Sequence, residues 1–183
     1  MAPETVVRIR TRSRAATVAV GAALAASLRD GDAVAMDGDL GAGKTAMTEG
    51  IARGLAVRGA VSSPTFTLLI DHAAGPRGLA LHHFDAYRLA DADEFRHLGF
   101  DEVLSSGGVT VVEWASRVQG ALPAGAVRVE LDRRDAEGED VRFLAVAFPE
   151  GREESAAALA RAAAGIPDAA PADAEEAGGT PRC

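Results

Sequence analysis

Apolar and polar positions along this chain repeat at two periods, and the switches between them mark out its elements. Val7, Ile9 and Thr11 alternate with Arg8, Arg10 and Arg12, the period of two expected of a half-exposed strand. Val20, Leu24 and Leu28 then recur at helical spacing, predicting a helix over 15–28. Asp32-Ala33-Val34-Ala35-Met36 reads as a short buried strand, and residues 46–55 as the helix that follows it. Ser62-Ser63-Pro64 is a turn signal that opens an apolar, β-branched run to Ile70. Residues 79–89 and 108–114 predict two more strands with polar ends, and 93–98 a short helix between them. Val127, Val129 and Leu131 alternate with Arg128, Glu130 and Asp132. A polar turn over 135–140 then leads into Val141–Phe148 as the second arm of a hairpin.

The chemistry concentrates between the second strand and the second helix. Gly38-Asp39-Leu40-Gly41-Ala42-Gly43-Lys44-Thr45 fits the phosphate-loop pattern G-x-x-x-x-G-K-T in the strand, loop and helix context that the pattern needs. Its Lys44 is the chain's only lysine against eighteen arginines. A compact ammonium fits between phosphate oxygens where a planar guanidinium fork does not. Gly38, Gly41 and Gly43 let successive backbone N–H groups turn inward as an anion nest, and the following helix adds its N-terminal partial charge. Thr45 is then the residue whose hydroxyl meets Mg2+. The expected fold is therefore α/β, a P-loop NTPase-type three-layer fold with a mixed central sheet, parallel near the nucleotide and antiparallel in its C-terminal strands.

Length and composition limit the rest. Residues 1–148 suffice for one domain with its own core. Residues 149–183 are mostly Ala, Gly, Pro, Glu and Asp, with Leu159 and Ile166 as the sizeable aliphatics. That composition predicts a disordered acidic tail, with a short helix around Ser155–Ala164, or alternatively a partner-binding or autoinhibitory arm. A net charge of −8 argues against a protein that coats nucleic acid, so any tRNA contact is indirect or shared within a complex. The lone cysteine, Cys183, offers no disulfide framework or zinc cluster, which fits a reducing cytosol. No apolar run reaches the ~20 residues that span a bilayer. Arg8 to Arg14 followed by Ala15–Ser27, with Ala23-Leu24-Ala25, superficially resembles a secretory signal. The strand and helix periodicity is the better reading, and the expected location is cytoplasmic.

Three further segments each have a bland and a chemical reading. Thr65, at the entrance to its strand, is placed like a switch residue approaching a γ-phosphate, or it simply opens a strand. Asp85, at the polar end of Leu79–Leu89, lies where ligands bind in open α/β sheets, beyond the carboxyl ends of strands; alternatively it pairs with Arg88 on the surface. His82 and His83 point to opposite faces and are read as structural, His83 bonding a neighbouring loop. Glu113 and Trp114 close the next strand, near metal, water and nucleotide, or as an ordinary strand end with a core tryptophan.

Taken in order, Gly-Asp-Leu-Gly-Ala-Gly-Lys-Thr, Ser-Pro-Thr-Phe-Thr, His-Phe-Asp-Ala-Tyr-Arg-Leu and Val-Glu-Trp resemble the bacterial TsaE family, formerly YjeE, over about residues 5–148. The resemblance implies an ATP-binding, weakly ATP-hydrolysing accessory protein of tRNA N6-threonylcarbamoyladenosine synthesis, acting with TsaD and TsaB. It implies that Gly38 to Thr45 hold phosphate and Thr45 the Mg2+. Thr65 would act as a switch residue, Asp85 and Glu113 would support metal and hydrolysis, and Trp114 would sit near the nucleotide or a partner. ATP is expected over GTP, because the N-K-x-D segment that usually reads guanine needs a second lysine. A small-molecule kinase on the same loop, or a nucleotide-gated binding module without required hydrolysis, remains open. Arg88 and Arg117 are the candidates for charge stabilisation in cis, beside an arginine supplied by a partner.

Overall fold

The strands are β1 (Thr5–Thr11), β2 (Ala33–Asp37), β3 (Leu69–His72), β4 (Leu81–Asp85), β5 (Val109–Glu113), β6 (Val127–Arg133), β7 (Arg142–Phe148) and β8 (Ala169–Pro171). The helices are α1 (Arg14–Ala25), α2 (Lys44–Leu55), α3 (Ala92–His97), α4 (Phe100–Ser105) and α5 (Glu153–Ala163), with a 3-10 segment over Ala115–Ala121. This computed structural model describes residues 4–59, 61, 64 and 67–173.

One eight-stranded sheet runs in the order β3-β4-β5-β2-β6-β7-β1-β8. Pairings β4–β5, β5–β2 and β2–β6 are parallel, whereas β3–β4, β6–β7, β7–β1 and β1–β8 are antiparallel. The sheet is thus mixed, parallel around β2 and antiparallel toward the C-terminal strands, as the sequence predicts.

Alternation within the strands sorts side chains into two cores. Val34 and Met36 of β2, Val109 and Val111 of β5 and Leu81 of β4 face α1, α2 and α5. Ala33, Ala35, Val112 and Phe84 face the other way, beneath α3, α4 and the 3-10 segment. There Phe84, Phe95 and Phe100 form an aromatic knot with ring centroids 4.3 to 5.7 Å apart, worth about 1 kcal/mol per pair beyond burial. Each core covers one face, which gives the three layers.

The helix carrying the phosphate loop is seated unusually close to α1. A Cβ at Gly50 would fall 2.1 Å from the Val18 carbonyl oxygen, and one at Gly21 2.4 Å from that of Met47. Small residues at this crossing let two backbones touch, so α2 is held rigidly under the loop it begins.

Beyond Phe148 the structure departs from expectation. Residues 149–173 are ordered: α5 buries Ala156, Leu159 and Ala163 in the main core, and β8 pairs antiparallel with β1. A composition poor in large aliphatics suggested disorder, yet Leu159 is 1 % exposed and Arg152 makes an ion pair with Asp32 at 3.0 Å while donating to the Ser27 carbonyl. Those contacts offset the cost of ordering the segment. The expected helix at 155–164 is present; the rest of the expected tail, 174–183, lies outside the described residues.

Candidate nucleotide-binding site

The loop between β2 and α2 is shaped by backbone that only glycine tolerates. Gly38 has φ of 143°, and a Cβ there would lie 2.3 Å from the Leu131 carbonyl oxygen. Gly43, with φ of 107°, caps α2, so Lys44 and Thr45 open the helix with amides that no intrahelical carbonyl can reach. Gly41 is also in the left-handed region. Asp39, Leu40 and Ala42 complete the turn: the Ala42 amide donates to the Asp39 carbonyl at 3.1 Å, Ala42 is fully buried, and Leu40 is 79 % exposed.

Lys44 lies across this loop. Its Nζ donates to the carbonyls of Gly38 at 2.6 Å and Asp39 at 3.0 Å, and sits 3.7 Å from the centroid of the Trp114 ring. Burial lowers its pKa from the ordinary 10.5, and the carboxylates of Glu113, Asp37, Asp85 and Asp39 partly oppose that shift. Trp114 reaches the ammonium from a left-handed backbone, φ 60° and ψ 40°, which costs a bulky residue roughly 1–2 kcal/mol. Its other neighbour is Tyr87, ring centroids 4.9 Å apart.

Opposite the loop stands a wall built from neighbouring parallel strands. Asp85 ends β4 directly beside Glu113 at the end of β5, both 3 % exposed. Asp85 accepts from the Tyr87 amide at 2.9 Å. Glu113 Oε2 accepts from the Thr45 hydroxyl at 3.2 Å, and Oε1 from the Thr48 hydroxyl at 3.3 Å, with His83 Nε2 at 2.8 Å. His83 therefore meets a site carboxylate, not a loop, which corrects the expectation from sequence. His82 does face the other way, near Asp71 and the Gly107 carbonyl.

Loop and wall enclose a cavity of about 320 Å³ lined by Arg14, Thr17, Leu40, Gly41, Gly43, Lys44, Thr45, Asp85, Glu113, Trp114, Asp140 and Arg142, among others. Sequence reasoning missed four of these. Arg14 opens α1 and is paired with Glu49 at 2.5 Å; Thr17 lies one turn on; Arg142 donates to the Gly41 carbonyl at 3.2 Å from the base of the β6–β7 hairpin, and Asp140 lies in that hairpin's turn. No local motif marks them, since each reaches the loop only through sheet order. Arg117 is placed over the Tyr87 ring at 5.5 Å and donates to the Leu89 carbonyl, and Arg88 is exposed. Neither lines the cavity. Thr65 lies outside the described residues.

This donor set suits a magnesium nucleotide. The nest, the ammonium and the helix N-terminus present positive charge to phosphates, and glycine at 38, 41 and 43 leaves room for them to approach the backbone amides. Among the described residues no group of three or more His, Cys, Asp or Glu side chains is placed to hold a metal by itself. Mg2+ does not need one, because it typically relies on one or two side-chain oxygens, phosphates and water.

The chain is similar to known proteins in sequence and in fold. The family described as "Threonylcarbamoyl adenosine biosynthesis protein TsaE" matches residues 11–141. The tRNA threonylcarbamoyladenosine biosynthesis protein TsaE of Bacillus subtilis is 38% identical over 137 residues, covering 75% of this chain and 84% of the relative. The protein of that name from Streptomyces coelicolor is 43% identical over 129 residues, covering 69% and 86%. Among solved structures, Bacillus subtilis YdiB superposes with a TM-score of 0.73 at 31% identity, covering 88% of this chain and 98% of that one. No helix among the described residues is long and apolar enough to cross a membrane.

Proposed function

The chain belongs to the TsaE family of P-loop NTPase-type proteins, and from that premise we propose that it binds and slowly hydrolyses ATP as an accessory protein of tRNA N6-threonylcarbamoyladenosine modification. It acts in the cytoplasm with TsaD- and TsaB-type partners, and meets tRNA through that complex. The observation that carries the hydrolytic part is the convergence of Glu113, from the end of β5, on the hydroxyl of Thr45 in the phosphate loop.

The roles divide by position. The amides of Gly38 to Thr45 bind the outer phosphates, and Lys44 leaves its carbonyl partners to neutralise them. Thr45, Asp85 and Glu113 hold the metal and its water shell. Mg2+, when bound, neutralises charge that builds on the phosphate oxygens. Asp85 and Glu113 orient the attacking water. Its oxygen bonds to the γ-phosphorus as the bond to the ADP oxygen breaks, which yields ADP and inorganic phosphate. Thr65 senses the γ-phosphate. Trp114 packs beside the nucleotide, excluding water and reporting occupancy. Arg14 and Arg142 take the charge-stabilising role that sequence gave to Arg88 and Arg117, or share it with an arginine from the partner.

Nucleoside mass spectrometry of total tRNA tests this reading. In cells depleted of the protein, threonylcarbamoyladenosine should fall, and a wild-type copy but not Lys44→Ala should restore it. Full modification in depleted cells with no second copy would overturn the assignment.

A further inference from the structure

His83 sits on a stripe where packing alone would place an aliphatic side chain. Leu81, His83 and Asp85 of β4 face α2 beside Val109, Val111 and Glu113 of β5, and Leu81 and the two valines are fully buried core residues. His83 is equally buried, yet among the described residues its Nδ1 has no hydrogen-bond partner. A buried, unsatisfied ring nitrogen costs about 1–3 kcal/mol, which a leucine would avoid. The compensating interaction is on the other nitrogen: Nε2 lies 2.8 Å from Glu113 Oε1. A carboxylate can only accept, so Nε2 carries the proton and donates it.

The two oxygens of Glu113 are thereby given different duties. Oε1 is taken by His83 Nε2 behind the site, where the Thr48 hydroxyl, 3.1 Å from the Lys44 carbonyl oxygen and 3.3 Å from Oε1, shares its one proton between the two. Oε2 is left on the Thr45 hydroxyl at 3.2 Å, in the cavity. With Glu113 only 3 % exposed, water competes weakly for Oε1, and a charge-assisted bond here is about twice as strong as a neutral one. Rotation of the carboxylate about its terminal bond would break the contact with His83.

We propose that His83 is a positioning residue for Glu113: its Nε2 pins Oε1 so that Oε2 stays directed at Thr45 and the metal side of the nucleotide. This rests on the reading of Glu113 given above. The imidazole is not among the residues lining the cavity; it fixes the carboxylate that is.

The test compares His83→Leu, which keeps bulk and removes the donor, with His83→Gln, whose amide nitrogen reaches the place of Nε2. Calorimetry of ADP with and without Mg2+ gives a readout independent of turnover. His83→Leu should lower kcat and the Mg2+-dependent gain in ADP affinity about tenfold each, the usual scale for loss of an outer-shell partner. Its Mg2+-free ADP affinity should stay within about twofold, because the loop is untouched. His83→Gln should retain both quantities within about threefold. Wild-type behaviour of His83→Leu overturns the proposal, as does equal damage by leucine and glutamine, or a matching loss of Mg2+-free binding. If the leucine variant does not fold, His83→Gln against His83→Asn gives the same contrast, since the shorter amide cannot reach Glu113. Glu113→Ala is measured alongside. If it keeps the Mg2+ gain and turnover, the reading of Glu113 is wrong and the positioning role falls with it. If it loses both while His83→Leu does not, only the positioning role fails.

Discussion

Consecutive residues, Gly38 to Thr45, make the phosphate loop, whereas the wall facing it draws Asp85 from β4, Glu113 from β5 and His83 and Thr48 from behind. The loop owes its shape to local backbone: positive φ at Gly38, Gly41 and Gly43, and a helix start that leaves amides open. The wall owes its shape to register, Asp85 opposite Glu113 and Glu113 opposite Met36 across parallel pairings. A loop of this kind binds any phosphate chain that fits it. What is done with the phosphate depends on the wall, and so on the sheet.

If loop and wall divide binding from chemistry, perturbing the loop should strike affinity first. Lys44→Ala is expected to weaken Mg-ATP binding by roughly a hundredfold, on the order of 3 kcal/mol for lost charge-assisted contacts, as read by calorimetry. Affinity within about threefold of wild type would move the anchor elsewhere. Gly38→Ala places a methyl 2.3 Å from the Leu131 carbonyl oxygen, so a stability loss of about 2–3 kcal/mol is expected in urea unfolding. An unchanged midpoint would show that the loop backbone is freer than its contacts imply.

Proton linkage gives a smaller, directional effect. Burial lowers the Lys44 pKa, and phosphate favours its charged form. Between that lowered value and the ordinary 10.5, binding must therefore take up a proton, and affinity must fall as pH rises. Calorimetry in two buffers of different ionisation enthalpy should detect uptake that grows with pH, and none would contradict the burial of Lys44. The same logic applied at the far end of the wall concerns His72, whose pKa burial lowers, with a further contribution from His83. Its neutral form is kept in the fold. Stability should thus be flat above the ordinary 6.5 and decline as pH falls through it, where the unfolded chain binds the extra proton. His72→Phe should flatten that slope by at most about 1.4 kcal/mol per pH unit; an unaltered slope would assign it to other groups.

The same contrast between local and register-built parts decides what could be read from sequence. The strand and helix flanking the loop, the alternating β6 and β7 arms, and the mixed character of the sheet were legible because each depends on a period or a motif within about ten residues. Asp85 and Glu113 were legible as strand-end acids, but the meeting of Glu113 with Thr45, Thr48 and His83 was not, since one sequence does not fix strand order. Arg14, Thr17, Asp140 and Arg142 were missed for the same reason. The order in residues 149–173 was missed for another: a few buried contacts from Leu159 and Arg152 outweigh an overall composition that is small and acidic. Thr65 lies outside the described residues, so its switch role stays a proposal.

The central claim, that the loop binds and the wall hydrolyses, is tested most directly by Glu113→Ala, with Mg2+-free ATP affinity and single-turnover hydrolysis in Mg2+ measured on one preparation. The account predicts Mg2+-free nucleotide binding within a few-fold of wild type and hydrolysis slowed by about a hundredfold, the scale of a lost water-orienting group. Hydrolysis at the wild-type rate with binding intact would contradict it.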